Sequence, residues 1–130
     1  MAFVLDTNIY IEIERSNQKI ISEVLKLASS GIPAITAPTY SELYWGLLKG
    51  RKDELKNKLE RLDAVNLLNT TKNSSKLFAE IKYSLEKSGK MIPLFDILIA
   101  SIVIGNDMTL LTMDEHFNTV PGLRKIILQP

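Results

Sequence analysis

Residues 2–8 read AFVLDTN, an apolar run that ends in a carboxylate, a hydroxyl and an amide. The apolar residues 2–5 predict a short buried strand, and the polar residues after it predict a turn at the carboxyl end of that strand. A second run of this kind, TLLT, covers residues 109–112 and is followed by Asp114. Short strands that are apolar on both faces are typical of a parallel sheet covered by helices on both sides.

Helical periodicities separate the predicted strands along the whole chain. The strands are predicted at residues 2–5, 33–36, 64–68, 109–112 and 125–128. The helices are predicted at residues 9–15, 18–29, 39–48, 52–62, 72–88 and 96–104, with a short helical turn at 114–117. This alternation indicates an α/β fold, a three-layer α/β/α sandwich around a central parallel sheet. The 130 residues contain no obvious linker or repeat, so residues 1–130 are predicted to form one domain.

The composition excludes several classes of protein. Hydrophobic residues make up 45% and charged residues 24%, which excludes a disordered or low-complexity chain. The net charge is +1, so any contact with nucleic acid must come from local patches. The absence of cysteine excludes disulfides and thiolate sites and favours a cytoplasmic location, and the single histidine, His116, excludes a His-rich zinc site. The longest apolar run, residues 94–105, contains Asp96 and is too short to span a membrane.

Four acidic residues lie where an open α/β sheet binds ligands. They follow a predicted strand or lie near the start of a predicted helix: Asp6, Glu42, Asp96 and Asp114. Two carboxylates about 5 Å apart repel each other by ~3 kcal/mol at an effective dielectric of about 20, so a cluster of four needs a cation to stay ionised. Because the sequence lacks cysteine and has one histidine, an all-oxygen site selects a hard ion, Mg²⁺ or Mn²⁺. Such a site typically activates water and braces a phosphodiester for displacement.

Helix capping is the structural alternative for the same residues. Asp is a favoured N-cap residue, which accounts for Asp6, Asp96 and Asp114 when each is taken singly. Glu42 follows Thr39 by three positions, which is the spacing of a capping box. Capping does not explain why all four acids should gather at one edge of the sheet.

The ordered set of motifs resembles the PIN domain family, and within it the VapC-type toxin ribonucleases of toxin–antitoxin pairs. The matching pieces are VLDTN at 4–8, SELYWG at 41–46, GxxIPxxDILIA at 89–100 and LLTMDEHF at 110–117. The resemblance implies strand order 3-2-1-4-5 and a metal-dependent endoribonuclease that uses Mg²⁺ or Mn²⁺. It also implies an RNA substrate, a VapB-type antitoxin as partner, and a homodimer. The implied catalytic and metal-binding residues are Asp6, Glu42, Asp96 and Asp114.

Three other residues of these motifs have smaller roles. Asn8 is interpreted as fixing the turn after the first strand rather than binding metal. Thr112 either orients a water molecule or a carboxylate, or is a structural hydroxyl at a strand end. His116 stands where relatives often carry another acid, which argues against a second-ion role at this position. It is interpreted as a partly exposed surface residue, and contact with RNA is the alternative.

Two surface features of the sequence each allow two interpretations. Residues 49–61 hold six basic and three acidic residues, and an amphipathic helix with a solvated face is favoured over a patch that attracts RNA. Tyr40, Tyr44 and Trp45 are interpreted as core or interface residues, and a binding surface for an antitoxin is the sharper alternative.

Two other functions fit parts of the pattern. A catalytically silent PIN-like scaffold that binds RNA or protein is the main alternative, and the presence of all four acids argues against it. A haloacid-dehalogenase-type phosphotransferase ranks lower, because it usually has a second acid where this chain has Asn8. A nucleotide-binding module is disfavoured because no Gly-rich loop follows the first strand.

Overall fold

The computed structural model describes residues 2–29 and 31–130, so Met1 and Ser30 of the predicted domain lie outside the described residues. Within them, the strands are β1 (Phe3–Leu5), β2 (Ala34–Thr36), β3 (Asn66–Leu68), β4 (Thr109–Thr112) and β5 (Lys125–Ile127). All neighbouring strands pair in parallel, in the order β3-β2-β1-β4-β5. The predicted parallel sheet and its order 3-2-1-4-5 are confirmed.

The helices of the described residues are α1 (Thr7–Glu14), α2 (Gln18–Leu27), α3 (Ala37–Lys49), α4 (Lys52–Asp63), α5 (Lys72–Ser88) and α6 (Leu94–Gly105). A 3₁₀ helix follows β4 at Glu115–Thr119. The longest helix, α5, shows how the sequence sets these bounds: Thr71 and Ser74 form a reciprocal capping box at its start. Gly89 ends it in the left-handed region with φ 69°, which glycine adopts without a steric cost.

Helices cover both faces of the sheet, and alternate strand residues supply two cores. On one face, Val4 and Leu110 pack against buried residues of α5 and α6. On the other face, Leu5 and Leu111 pack against buried residues of α1, α2, α3 and α4. The side chains alternate because successive strand residues point to opposite faces. The predicted three-layer α/β/α sandwich is therefore confirmed.

The most apolar helix, α6, is buried in the first of these cores, with Ile97, Ile99 and Ile102 fully shielded from solvent. Across residues 2–29 and 31–130, no helix combines the length and the apolar character needed to cross a membrane.

Some local expectations are wrong, and each has a physical reason. The strand at β3 is exposed at Asn66 and Leu67 rather than buried on both faces, because β3 lies at the edge of the sheet. Three helices begin two residues earlier than predicted, namely α1 at Thr7, α3 at Ala37 and α6 at Leu94. In each case the residue just before the helix acts as N-cap: Asp6, Thr36 and Pro93.

Candidate active site

The candidate site lies at the topological switch point of the sheet, between β1 and β4. From β1 the chain continues through α1 and α2 to β2 on one side, whereas from β4 it continues to β5 on the other side. Neighbouring parallel strands whose connections leave in opposite directions form a crevice at their carboxyl ends, and α/β proteins bind ligands there. Asp6 directly follows β1 and Asp114 lies two residues beyond β4, so both are at this crevice.

Asp6 is the buried member of the site, with 4% of its surface exposed. Its Oδ1 accepts a hydrogen bond of 2.9 Å from the backbone N–H of Thr7, and its Oδ2 accepts one of 2.7 Å from Oγ1 of Thr112. Burial raises the pKa of Asp6, these two hydrogen bonds oppose that rise, and the negative charges of Glu42 and Asp114 add to it. Asp6 therefore caps α1, as the capping alternative expects, and also faces two other acids.

Thr112 connects the strand ends of the site. Besides donating to Asp6, its hydroxyl oxygen accepts a hydrogen bond of 3.0 Å from the backbone N–H of Asp114. The hydroxyl of Thr112 therefore contacts a carboxylate and also caps the end of β4, so both interpretations of Thr112 fit its contacts. Asp114 itself caps the 3₁₀ helix, since its Oδ1 accepts from the backbone N–H of His116 at 2.8 Å.

The side chain of Asn8 holds the segment after β4 rather than the turn after β1, so the interpretation of Asn8 as a turn residue is wrong. Asn8 lies in the first turn of α1, and its Oδ1 accepts a hydrogen bond of 3.2 Å from the backbone N–H of Met113. The amide therefore holds the segment after β4 against α1. Asn8 thereby helps to keep the chain after β4 close to the end of β1, where the crevice lies.

Glu42 reaches the site from α3, and the capping-box interpretation of Glu42 is wrong. Thr36 is the N-cap of α3, and its hydroxyl accepts from the backbone N–H of Thr39 at 3.3 Å. Glu42 thus lies beyond the first turn, where it has no capping role to fill. Its Oε1 instead accepts a hydrogen bond of 2.9 Å from Oγ1 of Thr7, which follows Asp6 in the chain.

Asp96 completes the group from the first turn of α6, and it does not act as the N-cap of that helix. The N-cap position belongs to Pro93, whose carbonyl accepts from the backbone N–H of Asp96 at 3.0 Å. Burial raises the pKa of Asp96 to about 6, and the negative charges of Asp6, Asp114 and Glu42 contribute to that rise. Asp6, Asp114 and Glu42 are therefore all near enough to Asp96 for their charges to raise its pKa.

His116 is a basic side chain that lies beside two of these acids. Its Nδ1 lies 3.2 Å from Oδ2 of Asp114 and 3.7 Å from Oδ2 of Asp96. Its charged form opposes the rise in the pKa of Asp96. The side chain is 59% exposed, which agrees with the interpretation of His116 as a partly exposed residue.

Sequence reasoning missed the roles of Thr7 and His116. The role of Thr7 could have been inferred from its position directly after Asp6, because a hydroxyl in the first turn of α1 can reach a neighbouring helix. The signal for His116 is its spacing of two from Asp114, which brings the imidazole back over the capping carboxylate. In both cases the second partner, on α3 or α6, comes from a distant part of the chain.

The basic segment at residues 49–61 forms most of α4, and four of its six basic side chains have partners within the chain, including Arg51 with Asp53 at 2.9 Å. Arg61 pairs with Glu14 at 2.8 Å, and Lys58 pairs with Glu54 at 2.8 Å. Lys49 lies over the ring of Trp45, with 3.2 Å from Nζ to the ring centroid. These contacts support the interpretation of a solvated amphipathic helix over that of a dedicated patch for RNA.

The aromatic residues of α3 divide into two groups. Tyr40 and Tyr44 are half-buried against the second core and form an edge-to-face pair with ring centroids 6.2 Å apart. Trp45 points outward and is 61% exposed. The tyrosines therefore belong to the core periphery, whereas Trp45 offers an exposed aromatic surface.

The chain is similar in sequence and in fold to known proteins. The family model of the PIN domain matches residues 3–123. Ribonuclease VapC2 of Rickettsia felis is 29% identical over 127 residues, 95% of each chain, and Ribonuclease VapC3 of Methanocaldococcus jannaschii is 35% identical over 102 residues, 78% of this chain and 98% of the other. The crystal structure of VapBC2 from Rickettsia felis, bound to a DNA fragment from their promoter, is similar with a TM-score of 0.89 and 26% identity, covering 99% of this chain and 100% of that one.

Proposed function

Because the chain belongs to the PIN domain family, we propose that it is a VapC-type ribonuclease, the toxin of a toxin–antitoxin pair that acts in the cytoplasm. In this proposal a divalent ion assists the hydrolysis of RNA phosphodiester bonds. The observation that supports it is a set of contacts near the crevice between β1 and β4: Thr7 contacts both Asp6 and Glu42, Thr112 contacts both Asp6 and the backbone of Asp114, and His116 lies beside Asp114 and Asp96. The proposed catalytic and metal-binding residues are Asp6, Glu42, Asp96 and Asp114.

The chemistry of these residues fits a hard divalent cation. All four donors are carboxylates, and oxygen ligands suit Mg²⁺ or Mn²⁺. The raised pKa of Asp96 reflects burial and mutual repulsion, and a bound cation would relieve the repulsion. The substrate adds to this need, because the phosphates of RNA would be repelled by an acidic site without a cation. When bound, such an ion activates a water molecule and offsets the charge that develops on the phosphate.

The residues around the acids act by orienting them. Thr112 and the backbone N–H of Thr7 hold one oxygen each of Asp6, so the plane of this carboxylate is fixed. The hydroxyl of Thr7 fixes one oxygen of Glu42 in the same way. Such partners keep ligands in place before an ion arrives, and removing them usually lowers affinity or activity.

The test compares two isosteric substitutions at opposite edges of the sheet. Asp96→Asn removes one charge from the site, whereas Asp107→Asn removes one charge from the loop that precedes β4. We expect Asp96→Asn to lower Mg²⁺- or Mn²⁺-dependent cleavage of a structured RNA by at least about a hundredfold, and chelator to abolish cleavage by the wild type. Asp107→Asn should cleave at the wild-type rate.

Two results would contradict the proposal. One is wild-type cleavage by Asp96→Asn. The other is wild-type protein that binds RNA without cutting it in either metal, which would favour the silent scaffold. Circular dichroism spectra of both variants establish that a lost activity is not a lost fold.

We also propose that the chain forms a homodimer and pairs with a VapB-type antitoxin. The solved relative from Rickettsia felis is a VapBC complex, and this chain exposes apolar side chains on two helices, Trp45 on α3 and Tyr83 on α5. Aromatic side chains of this kind dominate the binding energy of many interfaces. Light scattering should give a mass of about twice 14.6 kDa at micromolar concentration, and a particle of 14.6 kDa would contradict the dimer.

A further inference from the structure

We propose that His116 is a ligand of the divalent ion and biases the site toward Mn²⁺ over Mg²⁺. This inference rests on the proposed function for the existence of the ion site, and it goes beyond it by adding a nitrogen donor to a set of carboxylates.

The distances around His116 are those of groups that share an ion. Two ligands bound at about 2.1 Å to one cation are at most about 4.2 Å apart. Nδ1 of His116 lies 3.2 Å from Oδ2 of Asp114 and 3.7 Å from Oδ2 of Asp96, and both separations are below that limit. One ligand atom from each of the three residues lies within 4.8 Å of the others, so small side-chain rotations bring all three to one ion.

The backbone around His116 is fixed from both sides. Asp114 accepts a hydrogen bond from its N–H at 2.8 Å, and the hydroxyl of Thr119 donates to its carbonyl at 3.0 Å. The next residue, Phe117, is fully buried in the core beneath α6. This 3₁₀ helix is therefore anchored, and the imidazole of His116 starts from a fixed position beside the two carboxylates.

The type of donor decides the preference between ions. Mg²⁺ binds almost exclusively oxygen, whereas an imidazole nitrogen suits first-row transition ions, and Mn²⁺ accepts both kinds of ligand. A site with carboxylates and one imidazole therefore favours Mn²⁺ relative to a site with carboxylates alone. A simple ion pair between a protonated His116 and the acids is the alternative, and it makes the opposite prediction for metal affinity.

The direct test uses the single histidine of the sequence. Mn²⁺ is bound to the full-length wild-type chain after removal of any histidine tag, and electron spin echo envelope modulation is recorded. We expect a ¹⁴N modulation from a directly bound nitrogen, and we expect ¹⁵N-histidine labelling to replace it with the ¹⁵N pattern. Bound Mn²⁺ without nitrogen coupling would overturn the inference, and so would a failure of the chain to bind Mn²⁺.

A binding experiment on two variants separates the ligand from the ion pair. His116→Gln keeps the backbone N–H that caps onto Asp114, and His116→Asp restores an acid. If His116 is a ligand, His116→Gln weakens Mn²⁺ binding by at least about tenfold with a much smaller effect on Mg²⁺, and His116→Asp shifts the preference toward Mg²⁺. If His116 is only a competing cation, His116→Gln tightens the binding of both ions, and this result would overturn the inference.

These measurements need no RNA, so they do not depend on the outcome of the cleavage assay. Nitrogen-coupled Mn²⁺ in a chain that cuts no RNA would leave this inference standing and contradict the proposed function. Metal-dependent cleavage by a chain whose bound Mn²⁺ shows no nitrogen coupling would support the proposed function and contradict this inference.

Discussion

The two edges of the sheet treat acidic side chains in opposite ways. At the amino edge, Asp107 precedes β4, is 92% exposed and pairs with Arg124, which precedes β5. At the carboxyl edge, Asp6 is buried, and Asp96 is surrounded by the charges of three other acids. At one edge the chain therefore supplies an arginine partner for the acid, while at the other edge His116 lies beside only Asp114 and Asp96 of the four acids.

The two edges therefore differ in how their acidic side chains affect the stability of the fold and in whether they are suited to bind a cation. An exposed ion pair contributes little to folding, and removing it costs little. Buried carboxylates that repel one another cost the fold stability unless a cation joins them, and natural proteins retain such arrangements mainly at functional sites. The carboxyl edge is thus the place where substitutions should separate activity from stability, and the amino edge serves as its internal reference.

The largest effect after loss of a carboxylate is expected for Thr112→Val, which keeps the shape of the side chain and removes its hydroxyl. Oδ2 of Asp6 loses a donor and the backbone N–H of Asp114 loses an acceptor, both at a buried position. We expect the free energy of unfolding to fall by about 1–3 kcal/mol and RNA cleavage to fall roughly 10- to 100-fold. Chemical denaturation and a cleavage assay measure the two effects.

Thr112→Ser is the matched control because it retains the hydroxyl. It should remain close to the wild type in cleavage, with a modest loss of stability for the missing methyl group. If the Val and Ser variants cleaved RNA equally well, the hydroxyl would have no part in orienting Asp6.

Thr112 also shows how far the sequence alone could lead. The strand that contains it is predicted from local residues, since an apolar run that stops at polar residues carries its own signal. The role of Thr112 depends on its contact with Asp6. Asp6 is 106 positions away in the sequence and meets Thr112 only when β1 pairs with β4. The strand order was accessible through the resemblance of the ordered motifs to the PIN domain family, and the placement of Asp6 and Asp114 at one edge was accessible from the rule that parallel strands end together.

Helix starts were less accessible for a different reason. Thr36 and Thr39 are equally good N-cap residues by type. The sequence does not tell which of them occupies the N-cap position, with an extended backbone just before the helix. The structure places Thr36 there, with ψ 160°, and the role of Glu42 changes from a capping partner to a member of the acidic group. A shift of three residues in the N-cap position, from Thr39 to Thr36, therefore removes the capping-box interpretation of Glu42.

The next effect in size concerns the pH dependence of stability in chelator. The pKa of Asp96 rises on folding from 3.8 to about 6, so this group stabilises the fold fully below pH 3.8. That contribution is lost as the pH rises through about 6. Asp96→Asn removes the titrating group, so metal-free wild type should lose about 1–2 kcal/mol more than the variant over this range, after allowance for solvent screening.

Thermal melts of both proteins between pH 4 and pH 7 measure this difference, with chelator present throughout. Added Mg²⁺ or Mn²⁺ should stabilise the wild type more than Asp96→Asn, and more strongly at the higher pH, because protons compete with the ion for the carboxylates. Parallel pH profiles for the two metal-free proteins would show that Asp96 is not the repelled acid that the comparison of the two edges requires.

The smallest effect is expected at the amino edge, for Asp107→Asn. Asp107 has φ 55°, in the left-handed region that Asn tolerates, so the substitution adds no backbone strain. The pair with Arg124 is exposed and screened by salt, so the free energy of unfolding should change by at most about 1 kcal/mol, and less in 1 M salt than in dilute buffer. Denaturation curves at the two salt concentrations measure this change, and cleavage should equal that of the wild type. A folded Asp107→Asn protein that had lost cleavage would mean that removing any aspartate near β4 has the same consequence. The contrast between the edges would then carry no information about where RNA is cut.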